Sequence, residues 1–285
     1  MPEQSDLAQR IRADKGEMTR AFRKVASYLD ENPDHFVSSP IRELSEAIGV
    51  SEPTLIRFSR HYGFKGFPDL RIALAISLAG AEAMRPELTE PSILDKELVN
   101  RGAKRAIAQA AFTFLEAEET ILLDSGSTVS CLADKLVAAP ATTILTTSIN
   151  TLLKLRAARQ HILMMPGGVL RASAMSLGGR MAEGVLFGMS FDAGFFGADS
   201  VHPEFGISTY SEDEAHLNRA MIRASRRVIV LADSSKFRAP ALHKICDVGA
   251  IDMLITDDGL PDTLRDAFHA VGTELVIVSR DGNSS

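Results

Sequence analysis

The run TILLDSGSTVSCLADKL, residues 120–136, decides the fold. An apolar stretch ends at Asp124, a Ser-Gly-Ser-Thr loop follows, and a helix starts near Val129. The same texture repeats outward on the C-terminal side in ATTILTTS (141–148), HILMMP (161–166), FDAGFFGA (191–198), RRVIVLAD (226–233), IDMLITDD (251–258) and TELVIVS (273–279). Between these runs Val129 to Val137, Ile149 to Ala158, Glu214 to Ala224 and Asp262 to Val271 carry helical spacing. Continuous apolar strands separated by helices predict a mostly parallel α/β sheet covered on both faces. No internal repeat or low-complexity tract is visible.

The polar loops at the strand ends carry the chemistry. Free backbone N–H groups at a helix N-terminus, with the helix dipole behind them and hydroxyls beside them, suit a phosphate dianion. Asp124, Ser125, Gly126, Ser127 and Thr128 supply such a loop, and Gly126 permits close approach. A second strand ends in Thr146-Thr147-Ser148-Ile149-Asn150, which makes Thr147, Ser148 and Asn150 candidates, and a third ends in Gly167 and Gly168 with Arg171 just beyond. Ligands of open parallel sheets bind outside the carboxyl ends of the strands, so these three loops are expected to converge on one cleft. Ser-Gly-Ser is also a common helix cap, and Arg171 reads equally well as a solvated loop arginine. Asp199 and Lys236 each follow a strand and are placed to hold hydroxyls or a carbonyl, whereas Asp213 reads as a helix-start acid favourable with the dipole.

Composition bounds the classes. The 285 residues, 45% hydrophobic and 24% charged, suit one or two globular domains and exclude disorder, collagen and coiled coil. Cys131 and Cys246 form neither a disulfide framework nor a CxxC pair. The apolar stretch Ile72 to Met84 is shorter than the roughly 20 residues of a membrane span, and the N-terminus lacks a signal-peptide core. A cytoplasmic chain with no membrane contact, no metal and no cofactor is expected. Net charge is −6, yet residues 1–85 carry 12 Lys+Arg and 12 Asp+Glu, leaving 19 and 25 for the rest. A neutral head thus precedes an acidic body: residues 1–80, a proline-punctuated linker over 81–102, and a body over 103–280.

The head reads as all-α. Helices are expected from Glu17 to Asp30, stopped by Asn32-Pro33, from Ser39-Pro40 to Gly49, from Ser51 to Gly63, and after Leu70 to about Met84. Residues 41–60 fit a helix-turn-helix: apolar Leu44, Ile48, Val50, Leu55 and Phe58, small Ser45 at the crossing, and Gly49 where the turn needs a left-handed backbone. Leu55, Phe58 and Tyr62 share one face of the third helix, and Thr54, Arg57, Arg60 and His61 the opposite one. The N-terminal end of such a helix enters the major groove, where Ser51, Glu52 and Thr54 lie, with Arg57 placed for a guanine. Arg60, His61, Lys65 and Arg42 are placed for phosphates. A helical interaction domain with a merely solvated basic face fits the same residues.

LSEAIGVSEPTLIRFSRHYGFKGFPDLRIAL resembles the DNA-binding domain of the RpiR family of sugar-responsive bacterial regulators, through Ser51, Thr54, Arg57, Phe58, Gly63, Phe64, Gly66 and Phe67. LDSGSTV, TTSIN, PGGVLR with LGG, FFGADSV, AHLNRAMI, ADSSKF and ITDDGL resemble, in order, the C-terminal sensor of the DeoR family of transcriptional regulators. The second resemblance implies a ribose-5-phosphate-isomerase-like fold that binds phosphorylated sugars, with Ser125 to Thr128 as phosphate loop and Asp199 and Lys236 near the sugar. RpiR heads usually precede another sensor and DeoR sensors follow another head, so the chain reads as a hybrid. Asn218 stands where many DeoR sensors carry a lysine.

Together these features predict a transcriptional regulator, a repressor rather than an activator. A winged or extended helix-turn-helix would bind double-stranded operator DNA, a phosphorylated sugar would be the effector, and a dimer or tetramer would bind a palindrome. A rival reading is a sugar-phosphate isomerase with a DNA-binding head. Enediol chemistry needs a placed base and an oxyanion stabiliser, which the isomerases draw partly from a glycine-rich segment bearing a lysine. Here that segment is HPEFGISTYSEDEAHLNRAM, with one glycine and no lysine. The seven histidines lack metal spacing, no nucleophile elbow or Walker loop occurs, and Cys131 reads as core. A ligand-free interaction protein would leave the polar loops unexplained.

Overall fold

The structure, a computed structural model, describes residues 7–79, 93–116 and 119–280. The chain divides into two compact units, Met1–Val99 and Asn100–Ser285.

The first unit is helical: α1 (Leu7–Asp14), α2 (Arg20–Glu31), α3 (Pro33–Ser38), α4 (Ile41–Ile48), α5 (Glu52–His61), α6 (Phe67–Ala79) and α7 (Ile93–Leu98). Helix α2 starts at Arg20 rather than Glu17, because the Thr19 hydroxyl accepts from the Phe22 N–H at 3.3 Å and fixes the end there. Asn32-Pro33 ends α2 as expected, but Pro33 then opens α3, its missing N–H being harmless in a first turn. Pro40, not Ser39, is the residue ahead of α4. Gly49 closes α4 at φ +70°, with the Gly49 and Val50 N–H groups both reaching the Ser45 carbonyl. Helix α1 was not foreseen, α6 begins three residues before Leu70, and α7 occupies part of the expected linker. The end of the apolar stretch at 80–84 and linker residues 81–92 lie outside the described residues.

The inward residues Val25, Leu29, Phe36, Leu44, Leu55, Phe58, Phe67, Leu70 and Leu74 form the head's core. Arg71, next to the apolar stretch, is itself buried, and its guanidinium donates to the Ser39 carbonyl at 2.5 Å. Among the described residues the head has no strand.

The second unit opens with α8 (Arg101–Thr113) and then alternates: β1 (Thr120–Leu123), α9 (Ser127–Leu136), β2 (Thr143–Thr146), α10 (Ile149–Leu155), β3 (Ile162–Met164), β4 (Val169–Arg171), β5 (Ser176–Gly178), α11 (Arg180–Leu186), β6 (Phe191–Phe196), β7 (Ser200–His202), β8 (Gly206–Thr209), α12 (Glu212–Arg223), β9 (Ser225–Leu231), β10 (His243–Cys246), β11 (Met253–Asp257), α13 (Asp262–Ala270) and β12 (Glu274–Val278). All seven predicted strands pair, and every pairing is parallel, in the order β12-β11-β9-β6-β1-β2-β3.

Alternate strand residues feed two cores. Ile121, Leu123, Phe195, Ile229 and Leu231 pack with Ile107, Val129 and Leu132 of α8 and α9, whereas Leu122, Phe196 and Val230 pack with Leu217 and Met221 of α12 and Phe268 of α13. Both faces are therefore covered, which is why the strands read as unbroken apolar runs. Two small antiparallel units were not anticipated: the β4–β5 ribbon and the three-stranded β10-β8-β7 sheet. Their strands are three or four residues long and partly polar, so no apolar run announces them.

The order matters for function. From β1 the chain moves outward through β2 and β3, and β6 then returns beside β1 on its other edge. The loops leaving β1 and β6 thus diverge at a topological switch point, where open α/β sheets hold their ligands.

Candidate DNA-reading face and ligand cleft

In the head, α5 turns Leu55, Phe58 and Tyr62 inward and leaves Ser51, Arg57, Arg60, His61 and Lys65 exposed. Thr54 departs from expectation. It is buried, its hydroxyl 2.9 Å from that of Ser51 and accepting from the Arg57 guanidinium at 3.3 Å. Thr54 therefore aims Arg57 rather than standing free beside it. Glu52 is half-buried at the helix start, His61 lies against the Phe22 ring at 5.6 Å, and Arg42 pairs with Glu46 on the exposed face of α4 at 3.4 Å.

In the second unit the cleft is built from the switch point outward. The Asp124 N–H donates to the Phe195 carbonyl at 3.0 Å, so the β1 loop stays joined to β6. The Asp124 carboxylate then accepts the Ser125 N–H at 2.7 Å and the Gly197 N–H at 3.0 Å. Burial, together with the nearby Asp199 charge, pushes its pKa above the ordinary carboxylate value, against those two hydrogen bonds and the charge of Arg171. Asp124 was expected to touch ligand; the structure commits both its oxygens to clasping two loops. A Cβ on Gly126 would lie 3.3 Å from the Gly197 Cα, so the glycine lets the β1 and β6 loops pack closely.

Helix α9 begins at Ser127, two residues earlier than predicted, with Gly126 at the cap and no side-chain cap bond. Ser127 and Thr128 belong to its first turn, and with Ser125 they place three buried hydroxyls around uncapped N–H groups.

At the β2 end the Ser148 hydroxyl caps α10 by accepting the Thr151 N–H at 3.2 Å. Thr147 is fully buried and its hydroxyl has no partner, and Asn150 is half-buried beside it in the chain. The Thr147 carbonyl accepts from Leu177 at 2.9 Å, which ties this loop to β5. Gly167 and Gly168, at φ +72° and +112°, turn the chain into β4.

Arg171 on β4 is not a solvated loop residue. Its guanidinium meets Glu214 of α12 at 3.0 Å, with the two side chains only 16% and 17% exposed. Sequence reading noted the acidic start of α12 and singled out Asp213, which is exposed; the partner is the next residue, one turn above Asn218. Asn218 is 1% exposed, and neither end of its carboxamide is hydrogen-bonded.

Asp199 is buried, and its carboxylate accepts from the Thr209 hydroxyl at 2.9 Å. The chain after Lys236 runs beside it: Phe237 bridges to Val201, and Arg238 donates to the Asp199 carbonyl at 2.9 Å. The Lys236 charge acts on Asp233, whose pKa burial would raise but which bonds from Ser235 and Asn100 and the charges of Lys104 and Lys236 hold below the ordinary value. Asn100, at the start of α8, donates to Asp233 at 2.8 Å, a contact no sequence signal announced. No group of three metal-ligating side chains occurs among the described residues.

The DeoR C terminal sensor domain family matches residues 99–258, more than half of the chain. The chain belongs to the DeoR family of transcriptional regulators. The rpiR-family helix-turn-helix domain matches residues 5–81, so the regulator is a hybrid of an RpiR-type head and a DeoR-type sensor. A putative aga operon transcriptional repressor of Escherichia coli O157:H7 is 38% identical over 66% of this chain and 70% of its own length. The HTH-type transcriptional regulator GlpR of Haloferax volcanii is 27% identical over 89% of this chain and 95% of its own. Structural neighbours include ribose 5-phosphate isomerase A of Methanocaldococcus jannaschii, 17% identical, at TM-score 0.37, covering 49% of this chain and 55% of that one. That likeness spans about half of each chain and is too loose to carry chemistry. The regulator is a DNA-binding protein whose sensor domain fits sugar-phosphate binding.

Proposed function

We propose that the cleft at the switch point binds a phosphorylated sugar whose occupancy sets the affinity of the head for operator DNA. One observation carries the reading: the uncapped first turn of α9, ringed by the buried hydroxyls of Ser125, Ser127 and Thr128, opens beside the β6 loop. The phosphate sits on that turn, because unpaired N–H groups and the helix dipole both favour an anion. Thr147 and Asn150, the Gly167-Gly168 turn, Arg171, Asp199 and Lys236 surround the sugar, while Asp124 and Ser148 hold the loops in place.

In the head Arg57, aimed by Thr54, reads a base, with Ser51 and Glu52 at the helix start. Arg42, Arg60, His61 and Lys65 take phosphates. The head spans residues 1–80 and the sensor 103–280. Two or four copies act together in the cytoplasm, since one head offers a single groove contact and a palindrome presents two. The regulator represses genes of carbohydrate metabolism, as the printed name of its aga-operon relative suggests for that protein. Catalysis is not part of the reading: the segment where the isomerases place a lysine is HPEFGISTYSEDEAHLNRAM, which has none.

A thermal-shift panel of sugar phosphates and their unphosphorylated partners tests the cleft. Stabilisation by a phosphorylated member alone is expected, about 2.7 kcal/mol at 100 times its dissociation constant. A cooperative melt unmoved by every member would refute it.

A further inference from the structure

Helix α2 carries Arg20, Arg23 and Lys24 on one face, and these residues border a groove of about 350 Å³ against the C-terminal end of α4. Ser27, Tyr28 and Ile48 complete its walls, and Glu31 stands at its far end. Nothing in the reading so far uses this surface.

The three cations differ in their engagements. Arg23 donates to the carbonyls of Lys15, Gly16 and Met18, so it fixes the turn between α1 and α2. Among the described residues Arg20 and Lys24 take part in no ion pair. The Lys24 ammonium reaches the Gly49 carbonyl at 3.5 Å, which puts it beside the turn that feeds α5. Phe22, between them in sequence, packs edge-on against Phe58 at 5.3 Å and lies 5.6 Å from His61. Phe22 thus packs on α5 from the side of α2 away from Arg20 and Lys24, which face the C-terminal end of α4 and, through Gly49, the turn that leads into α5.

We propose that this groove is a second DNA site on the head, taking a phosphodiester of the operator backbone between Arg20 and Lys24. It rests on the assignment of the head as a DNA-binding domain. The ten residues of α5 span about 15 Å, and the major groove is about 12 Å wide. Arg60 and Lys65 lie toward the C-terminal end of α5, and Lys24, through the Gly49 turn, lies at its N-terminal end. Cations at both ends of the reading helix reach phosphates on both walls of the groove. Glu31 repels an anion from the far end and confines the phosphate to the Arg20 end. Ser27 offers a hydroxyl to the same oxygens, while the Tyr28 hydroxyl is engaged with His35 at 3.0 Å.

The experiment uses the full chain, a fluorescent random-sequence 30-base-pair duplex, and anisotropy titrations from low to physiological salt. Each neutralised phosphate contributes about 0.9 to the slope of log K against log salt. Arg20→Gln and Lys24→Gln should each flatten the slope by part of the about 0.9 that one phosphate contributes, and the double variant by about 0.9 in all. Lys24→Arg should restore the wild-type slope, which a capping role for Lys24 on α4 would not require. Glu31→Gln should tighten binding, a direction that loss of stability cannot produce. Unchanged slopes in Arg20→Gln and Lys24→Gln, with Arg57→Ala and Lys65→Ala weakening the same complex, would overturn the groove alone. A duplex indifferent to all four variants would overturn DNA binding by the head.

Discussion

At the residue scale, the informative side chains are those whose hydrogen bonds are already committed and those whose bonds are missing. Thr54 and Asp124, both candidate contacts, already hold neighbours in place: Thr54 accepts from Arg57, and Asp124 from the Ser125 and Gly197 N–H groups. Arg57→Ala should weaken operator binding by about 1–3 kcal/mol and relax the preference for one base, whereas Lys65→Ala should weaken all duplexes alike. Equal losses on operator and random DNA for Arg57→Ala, measured by competition anisotropy, would end the base-reading role. Asp124 leads to a stability test. Its folded pKa lies above the ordinary value, so the folded state prefers the protonated acid. Stability contributed by that preference is present below about pH 4 and is lost as pH rises through the folded value. Asp124→Asn removes the titration but also leaves one of two clasped N–H groups facing another donor, at about 1–3 kcal/mol. Denaturant melts should therefore show wild type more stable than Asp124→Asn, with the margin shrinking between acid and neutral pH; a margin that grows would reverse the sign of the burial effect.

At the scale of elements, the sequence was legible where burial on both faces writes an unbroken apolar run. All seven strands of the large sheet follow from that rule, and four helices between them follow from helical apolar spacing. The β4–β5 ribbon and the β7–β8 pair were illegible because strands of three or four partly polar residues are too short to write an apolar run, and α3 because a proline that stops one helix also starts another. In the cleft, residue types at strand ends located the loops, but side-chain reach decided their roles. The Arg171–Glu214 pair joins elements 43 residues apart and has no local signature. It holds the ribbon against the first turn of α12, so a double-mutant cycle of Arg171→Ala and Glu214→Ala should return a coupling of about 0.5–3 kcal/mol. Additive losses would mean that the ribbon is held by its backbone bonds to the Thr147 loop alone. Gly126→Ala acts at the same scale. Its methyl would press on Gly197 and part the β1 and β6 loops by a few tenths of an ångström, so effector response should fall while the melting temperature changes little.

At the scale of the molecule, a head that reads DNA and a sensor that binds a small ligand are linked only if each ligand prefers one of two states. An effector can shift operator occupancy by no more than its own differential affinity. The same free energy must appear in reverse, so operator DNA has to change effector affinity by the factor with which effector changes operator affinity. Ser127→Asp separates the two sites: a charge in the first turn of α9 repels the phosphate, yet no residue of the DNA-reading face is touched. The variant should bind operator with wild-type affinity and show no change when the stabilising sugar phosphate is added. Wild type should show a shift of 5- to 150-fold, or about 1–3 kcal/mol, the ordinary range for such coupling. Isothermal titration of effector into regulator, with and without operator duplex, closes the cycle. Equal coupling from both directions is the expected result. An effector that binds equally well with and without DNA would show that the cleft, though occupied, does not control the head.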